Sequence, residues 1–153
     1  MENIKIATAQ FENRSADKAY NLAAIERISK QAALGGAQAI AFHECSVTGY
    51  TFAMHLSKEQ MLELAEYIPE GESIVRLREI AGRNNIAVLA GLFEKDKEGN
   101  LYKAYVCVDK DGLKAKFRKL HPFVNAHILP GNQYCVFDLY GWKCGILICY
   151  DNN

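Results

Sequence analysis

The spacing of hydrophobic residues predicts a β-α-β unit at the start of the chain. Apolar and polar residues alternate over residues 4–10, which predicts a strand. Hydrophobic residues recur every three or four positions over residues 17–34, which predicts an amphipathic helix that Gly35-Gly36 ends. The short apolar run 39–42 predicts the second strand.

Local signals predict two further helices. Ser57 with Gln60 three positions on can form a capping box, which predicts a helix from there to about Tyr67. Ser73 is expected to cap a second helix, which ends near Asn84.

The remaining apolar runs predict strands and hairpins. Residues 86–92 are almost continuously apolar, as expected for a strand buried on both faces. Strands 101–109 and 113–119 flank an Asp-Gly turn, and strands 135–139 and 143–150 flank a second turn. The pattern favours one α/β domain, with a mixed sheet and helices on at least one face. A crossover helix should follow the last strand, so we expect residues 1–153 to be the N-terminal part of a larger domain.

Composition narrows the class of protein. Half of the 153 residues are hydrophobic, and 18 basic residues balance 18 acidic ones. A net charge of zero argues against nucleic acid or an anionic membrane as the main partner. No apolar run reaches the roughly 20 residues of a membrane helix, and the first residues lack the core of a signal peptide, so we expect a cytoplasmic protein. The cysteines are odd in number and form no C-x-x-C pair, which predicts reduced thiols: Cys45, Cys107, Cys135, Cys144 and Cys149.

Three predicted strands end in a chemically reactive side chain. Glu44, Lys119 and Cys149 each follow an apolar run. Side chains at the carboxyl ends of strands converge on the ligand crevice of α/β sheets. A thiol nucleophile, a carboxylate base and an ammonium group beside a developing oxyanion suit acyl transfer.

Three motifs in order resemble the nitrilase superfamily of carbon-nitrogen hydrolases. They are Glu44 with Gly49-Tyr50 five residues on, the run Phe-Arg-Lys-x-His at 117–121, and the run Gly-x-x-Ile-Cys-Tyr-Asp at 145–151. The likeness extends from residue 4 to residue 153. It implies an αββα sandwich that lacks its C-terminal strands and helices here, and a homo-oligomer without a metal or organic cofactor.

The resemblance also implies the chemistry. Glu44 would be the general base, Lys119 the oxyanion-stabilising cation and Cys149 the nucleophile. The partner would be a small amide-type molecule, whose non-peptide C–N bond is cleaved through a thioester. An amidase or carbamoylase is favoured over a true nitrilase by frequency in the family alone.

Further residues are candidates for the substrate pocket. Tyr50 is expected to form one wall, and the backbone N–H of Tyr150 to lie in the oxyanion hole. The family's second glutamate has no counterpart between Lys119 and Gly131, where His127 is a candidate for an orienting role.

Three alternatives remain open from the sequence. A zinc site would combine His43, His121 and His127 with a cysteine, although their spacing is not that of known zinc motifs. A thiol redox protein would use Cys144 or Cys45 to resolve an oxidised Cys149. A third alternative is an inactive fragment that serves only as an association module.

Overall fold

Strands and helices alternate in the first half of the computed structural model, which describes residues 3–153. The strands are β1 Ile6–Ala9, β2 Ala39–Phe42, β3 Ala87–Lys95, β4 Leu101–Asp109, β5 Gly112–Arg118, β6 Cys135–Leu139 and β7 Trp142–Ile146. The helices are α1 Lys18–Leu34, α2 Lys58–Leu64 and α3 Glu72–Asn84, and two 3₁₀ turns span Thr51–His55 and Cys149–Asn152. Within the described residues no helix is both long and apolar enough to cross a membrane.

Five strands form a mixed sheet in the order β1-β2-β3-β4-β5. β1, β2 and β3 run parallel, whereas β4 and β5 continue the sheet as an antiparallel hairpin. β6 and β7 form a separate two-stranded sheet. The predicted mixed sheet and both hairpins are therefore confirmed.

The two faces of the main sheet bury different layers. Ile40 and Val88 point into a core that α1 and α3 cover. Their neighbours Ala39 and Ala87 point to the other face, where the β6–β7 hairpin packs with Ile146. Because successive side chains of a strand point to opposite faces, a strand covered on both sides is apolar at successive positions, as β3 is from Ala87 to Phe93. The described residues form a helix layer, a sheet and part of a second sheet.

The start of α3 differs from the prediction. Gly71 is the N-cap residue, and Ser73 lies inside the helix. The carboxylate of Glu66 accepts hydrogen bonds from the Ser73 backbone N–H at 2.8 Å and from its hydroxyl at 2.6 Å. A carboxylate satisfies the free N–H groups of a helix start and interacts favourably with its dipole, so a distant side chain takes the place of the local cap.

Two other element boundaries differ as well. α2 begins with the predicted capping box of Ser57 and Gln60, but it ends at Leu64 rather than near residue 67. The backbone of Glu66 instead pairs with β3, since its N–H donates to Phe93 O at 3.1 Å. The predicted strand 143–150 ends at Ile146, and a 3₁₀ turn begins at Cys149.

Candidate active site

The segment after β2 carries Glu44 and is held on the sheet by hydrogen bonds. The Val47 N–H donates to Gly91 O on β3 at 3.0 Å, and the amide of Asn21 on α1 donates to Val47 O at 2.9 Å. Gly49 has a φ of +84°, a backbone conformation that favours glycine. Helix α1 and strand β3 thus fix the loop that positions Glu44.

Gly91 allows this close approach. A Cβ atom at this position would lie 2.5 Å from the backbone N of Cys45 and 3.2 Å from the Tyr105 ring. Gly91→Ala is expected to lower the free energy of unfolding by about 1–3 kcal/mol, because backbone atoms of the Glu44 loop must move. Denaturant titration measures the loss.

A matched glycine provides the control. The nearest atoms that a Cβ at Gly82 in α3 would meet lie 3.9 Å away or more. Gly82→Ala is expected to raise stability by up to about 1 kcal/mol, as alanine does in a helix interior. Equal stabilities of wild type and Gly91→Ala would contradict the proposed close packing.

Two lysines converge on one oxygen of Glu44. Lys119 Nζ donates to Glu44 Oε1 at 2.8 Å, and Lys103 Nζ donates to the same atom at 3.2 Å. The side chains of Lys119 and Lys103 are 0% and 1% exposed, whereas that of Glu44 is 17% exposed. The Lys119 N–H donates to Lys103 O at 2.9 Å, so the two residues are cross-strand neighbours. Like charges in that arrangement repel, and the carboxylate between them offsets the repulsion.

Lys103 was not predicted from the sequence, although a signal was present. It alternates with Tyr105 and Cys107 on the face of β4 that packs against the second sheet. A lysine at a core-facing position of a buried strand needs a charged partner. The identity of that partner was not visible in the local pattern.

Aromatic rings surround the two ammonium groups. Lys103 Nζ lies 4.1 Å from the centre of the Tyr50 ring, and the ring of Phe123 lies 5.0 Å from Lys119 Nζ. Burial lowers the pKa of Lys103, and the charge of Glu44 opposes this effect. Burial, with further contributions from Glu44 and other nearby groups, raises the pKa of Tyr50 to about 12. Phe123 is a site residue that the sequence analysis missed.

Cys149 begins the 3₁₀ turn after β7 and is exposed. Its φ of +50° is unusual for a residue with a side chain, and such strain is concentrated at functional sites. Asp151 fixes the turn, because its carboxylate accepts from the His121 N–H at 2.9 Å and from the Leu120 N–H at 3.3 Å. The segment that follows Lys119 is thereby tied to the turn that carries Cys149.

The carboxylate of Glu44 and the thiol of Cys149 lie on one cavity of about 370 Å³. Glu44 and Cys149 both line it, with Tyr105 among the other lining residues. The structure thus places Glu44 in contact with Lys119 and on the same cavity as Cys149. This volume is within the range of pockets that bind small molecules.

Of the three predicted substrate-binding residues, two contact residues of the site and the third lies on an exposed loop. Tyr50 contacts Lys103, and the exposed Tyr150 packs edge-on against Phe123 at 6.1 Å between ring centres. His127 lies on an exposed loop, where its backbone N–H donates to Asn125 at 2.9 Å. Among the described residues the hydrogen-bond partners of Glu44 are lysines, and His127 is not one of them.

Other polar residues are structural. Arg118 binds Glu94 through two hydrogen bonds of 2.8 Å, and Lys116 binds the same buried carboxylate at 2.6 Å, so both cations belong to an ion-pair cluster apart from Glu44.

Burial raises the pKa of Cys45 to about 12, which makes this thiol a poor source of thiolate. Residues 3–153 contain no group of three or more His, Cys, Asp or Glu side chains placed to hold a metal ion.

Comparison with known proteins identifies the family of the chain. The family model for carbon-nitrogen hydrolases matches residues 5–153. This chain belongs to the carbon-nitrogen hydrolase family. The carbon-nitrogen hydrolase chain is 34% identical over 151 residues to a nitrilase of Pyrococcus abyssi, a match that covers 97% of this chain and 56% of that protein. It is 31% identical over 163 residues to the omega-amidase NIT2 of Xenopus tropicalis, covering 99% of this chain and 56% of that protein.

Solved structures support the same fold. One is an amidase from Nesterenkonia sp. AN1, solved as a cysteine-to-alanine mutant in complex with butyramide. It superposes with a TM-score of 0.79 at 24% sequence identity, and the match covers 96% of this chain and 56% of the amidase chain. The nitrilase-type fold predicted from the motifs is therefore confirmed. The chain spans about half the length of the curated relatives it matches.

Proposed function

We propose that this carbon-nitrogen hydrolase chain cleaves the non-peptide C–N bond of a small amide or N-carbamoyl compound through a thioester on Cys149. The observation that carries the proposal is the shared site: Lys119 binds Glu44 at 2.8 Å, and Glu44 lines one cavity with Cys149. A base and a thiol on one small cavity, with a cation bound to the base, are the groups that acyl transfer requires.

The first step forms the C–S bond. Cys149 sulfur attacks the carbonyl carbon while its proton passes to Glu44, and the carbonyl π electrons move onto oxygen. Glu44 Oε1 accepts from both lysines, so Oε2 is the oxygen that receives the proton. Lys119 donates to the oxyanion, since its ammonium group is already at the site and is shielded from water.

The second half of the reaction regenerates the enzyme. The tetrahedral intermediate collapses, the C–N bond breaks, and the leaving nitrogen takes the proton from Glu44 and departs as ammonia or an amine. Water then attacks the thioester while Glu44 accepts its proton. Collapse of the second intermediate breaks the C–S bond, and the proton returns to sulfur as the carboxylic or carbamic acid is released.

A hydroxylamine-capture assay tests the thioester. The chain is incubated with short aliphatic amides, N-carbamoyl amino acids and an aliphatic nitrile, with and without hydroxylamine. Ammonia or amine release, together with acyl hydroxamate formed at the expense of the acid, is expected from the amides or carbamoyl compounds, because hydroxylamine competes with water for the acyl-enzyme.

The panel also distinguishes the alternatives. Turnover of the nitrile alone would favour a true nitrilase, the activity named for the Pyrococcus abyssi relative. Turnover of none of the compounds would contradict the proposal and favour the association module. A specific Cys149–Cys144 or Cys149–Cys45 disulfide after mild peroxide would favour the redox protein.

A further inference from the structure

The carboxylate of Glu44 has two counter-ions, and they differ in position. Lys119 follows β5 and lies 2.8 Å from Glu44 Oε1, whereas Lys103 lies within β4 and is 3.2 Å from the same oxygen. Both ammonium groups are buried, so their charges act with little screening by solvent. Glu44, Lys103 and Lys119 together carry a net charge of plus one.

Lys119 has two tasks in the proposed reaction, to balance the charge of Glu44 and to bind the substrate oxygen. Lys119 must turn towards the carbonyl oxygen before the thiol attacks, and its attraction for Glu44 then weakens while Glu44 still has to accept the thiol proton. A half-buried carboxylate that loses its only counter-ion is stabilised less well and is no longer held in one orientation. A second, fixed cation avoids this loss.

We propose that Lys103 is a positioning residue, the permanent counter-ion that holds Glu44 Oε1 in place whenever Lys119 turns to the substrate oxygen. The inference rests on the proposed function, because it assumes that Glu44 is the base for Cys149. The anchored Oε1 also orients the carboxylate, so that Oε2 is the oxygen available to the thiol and to water.

The surroundings of Lys103 suit a fixed cation. The groups that face it are Glu44 and Cys45 after β2, Tyr50 before the first 3₁₀ turn, and Lys119 after β5. Glu44 attracts the ammonium group, and Lys119 repels it. The ring of Tyr50, 4.1 Å away, adds a cation–π contact. Lys103 is therefore held between the carboxylate and the aromatic ring.

Alkylation of Cys149 tests the proposal without any substrate. Neutral iodoacetamide is applied over a range of pH, and the modified Cys149 peptide is quantified by mass spectrometry. Removing a nearby cation disfavours every deprotonation step of a coupled acid–thiol pair. In Lys103→Met the midpoint of the alkylation rate is expected to rise by about one pH unit.

Two further variants isolate the charge. Lys103→Gln keeps a hydrogen-bond donor without the charge, and the same rise is expected; it also decides the question if Lys103→Met fails to fold. Lys116→Met removes a lysine of β5 that binds Glu94 instead of Glu44, so the midpoint should remain that of the wild type. An unchanged midpoint in folded Lys103→Gln or Lys103→Met would overturn the proposal.

Turnover gives a second, separate readout. With an amide that the wild type hydrolyses, Lys103→Gln should lower kcat by about 10- to 100-fold and leave KM within about threefold, since a neutral amide gains no charge on binding. If the wild type hydrolyses no amide, the proposed function fails, while the alkylation midpoints still show whether Lys103 acts on the acid–thiol pair.

Discussion

Replacing Cys149 with alanine is expected to lower hydrolysis of an amide substrate by at least about 10³-fold. The variant retains the cavity and the Glu44–Lys119 pair but has no atom that can form the thioester. Because the side chain is exposed, its removal leaves no core cavity, and thermal stability should stay close to that of the wild type. Ammonia release at saturating substrate measures the loss.

A second cysteine of the same region is the matched control. Cys144 lies on β7, where its thiol is half-buried and contacts the backbone of Trp142. Cys144→Ala should keep turnover within a few-fold of the wild type. Persistent turnover in Cys149→Ala would exclude residue 149 as the nucleophile and with it the thioester route.

Replacing Lys119 with methionine is expected to lower kcat by about 10²- to 10³-fold, the usual cost of removing a donor to the oxyanion. KM should change little, because the contact strengthens only as the negative charge develops on the carbonyl oxygen. The side chain is fully buried, and methionine fills much of its volume. Glu44 retains Lys103 as its counter-ion, so the variant does not leave this half-buried carboxylate unpaired.

Steady-state kinetics with one neutral amide separate the two constants. Lys116→Met serves as the reference for the loss of a lysine from the same strand region, since its ammonium binds Glu94 at 2.6 Å. A kcat for Lys119→Met within about threefold of the Lys116→Met value would show that another group stabilises the oxyanion.

Much of the fold was predictable because its signals are local. Turn residues specified both hairpins, and the continuous apolar run 86–92 predicted the doubly covered strand β3. Ser57 and Gln60 formed the predicted capping box, whose two members are only three positions apart. The prediction at Ser73 was wrong, because Glu66 supplies the cap from outside the helix. Helix propensity and capping patterns describe only residues at the helix end, so they do not predict a cap from a side chain outside it.

Some residues of the candidate site could likewise be predicted from local motifs, and others could not. The motifs singled out Glu44, Lys119 and Cys149 from their residue types and spacing. Phe123 and Lys103 were not predicted, because their roles depend on tertiary contacts, with Lys119 and Glu44 respectively. The contact between Lys103 and Glu44 joins residues 59 positions apart. It depends on the close packing of the Glu44 loop on β3.

The sequence alone determined the order of strands and helices, the family and the three residues proposed for the reaction, because periodicity, turn chemistry and motifs are read from neighbouring positions. The tertiary structure decided which charges meet. Strand pairing sets Lys103 beside Lys119, and the loop after β2 brings a single carboxylate oxygen to both ammonium groups. Coulombic interactions depend on distance in space rather than along the chain, so the second counter-ion of Glu44 was visible only once the sheet had formed.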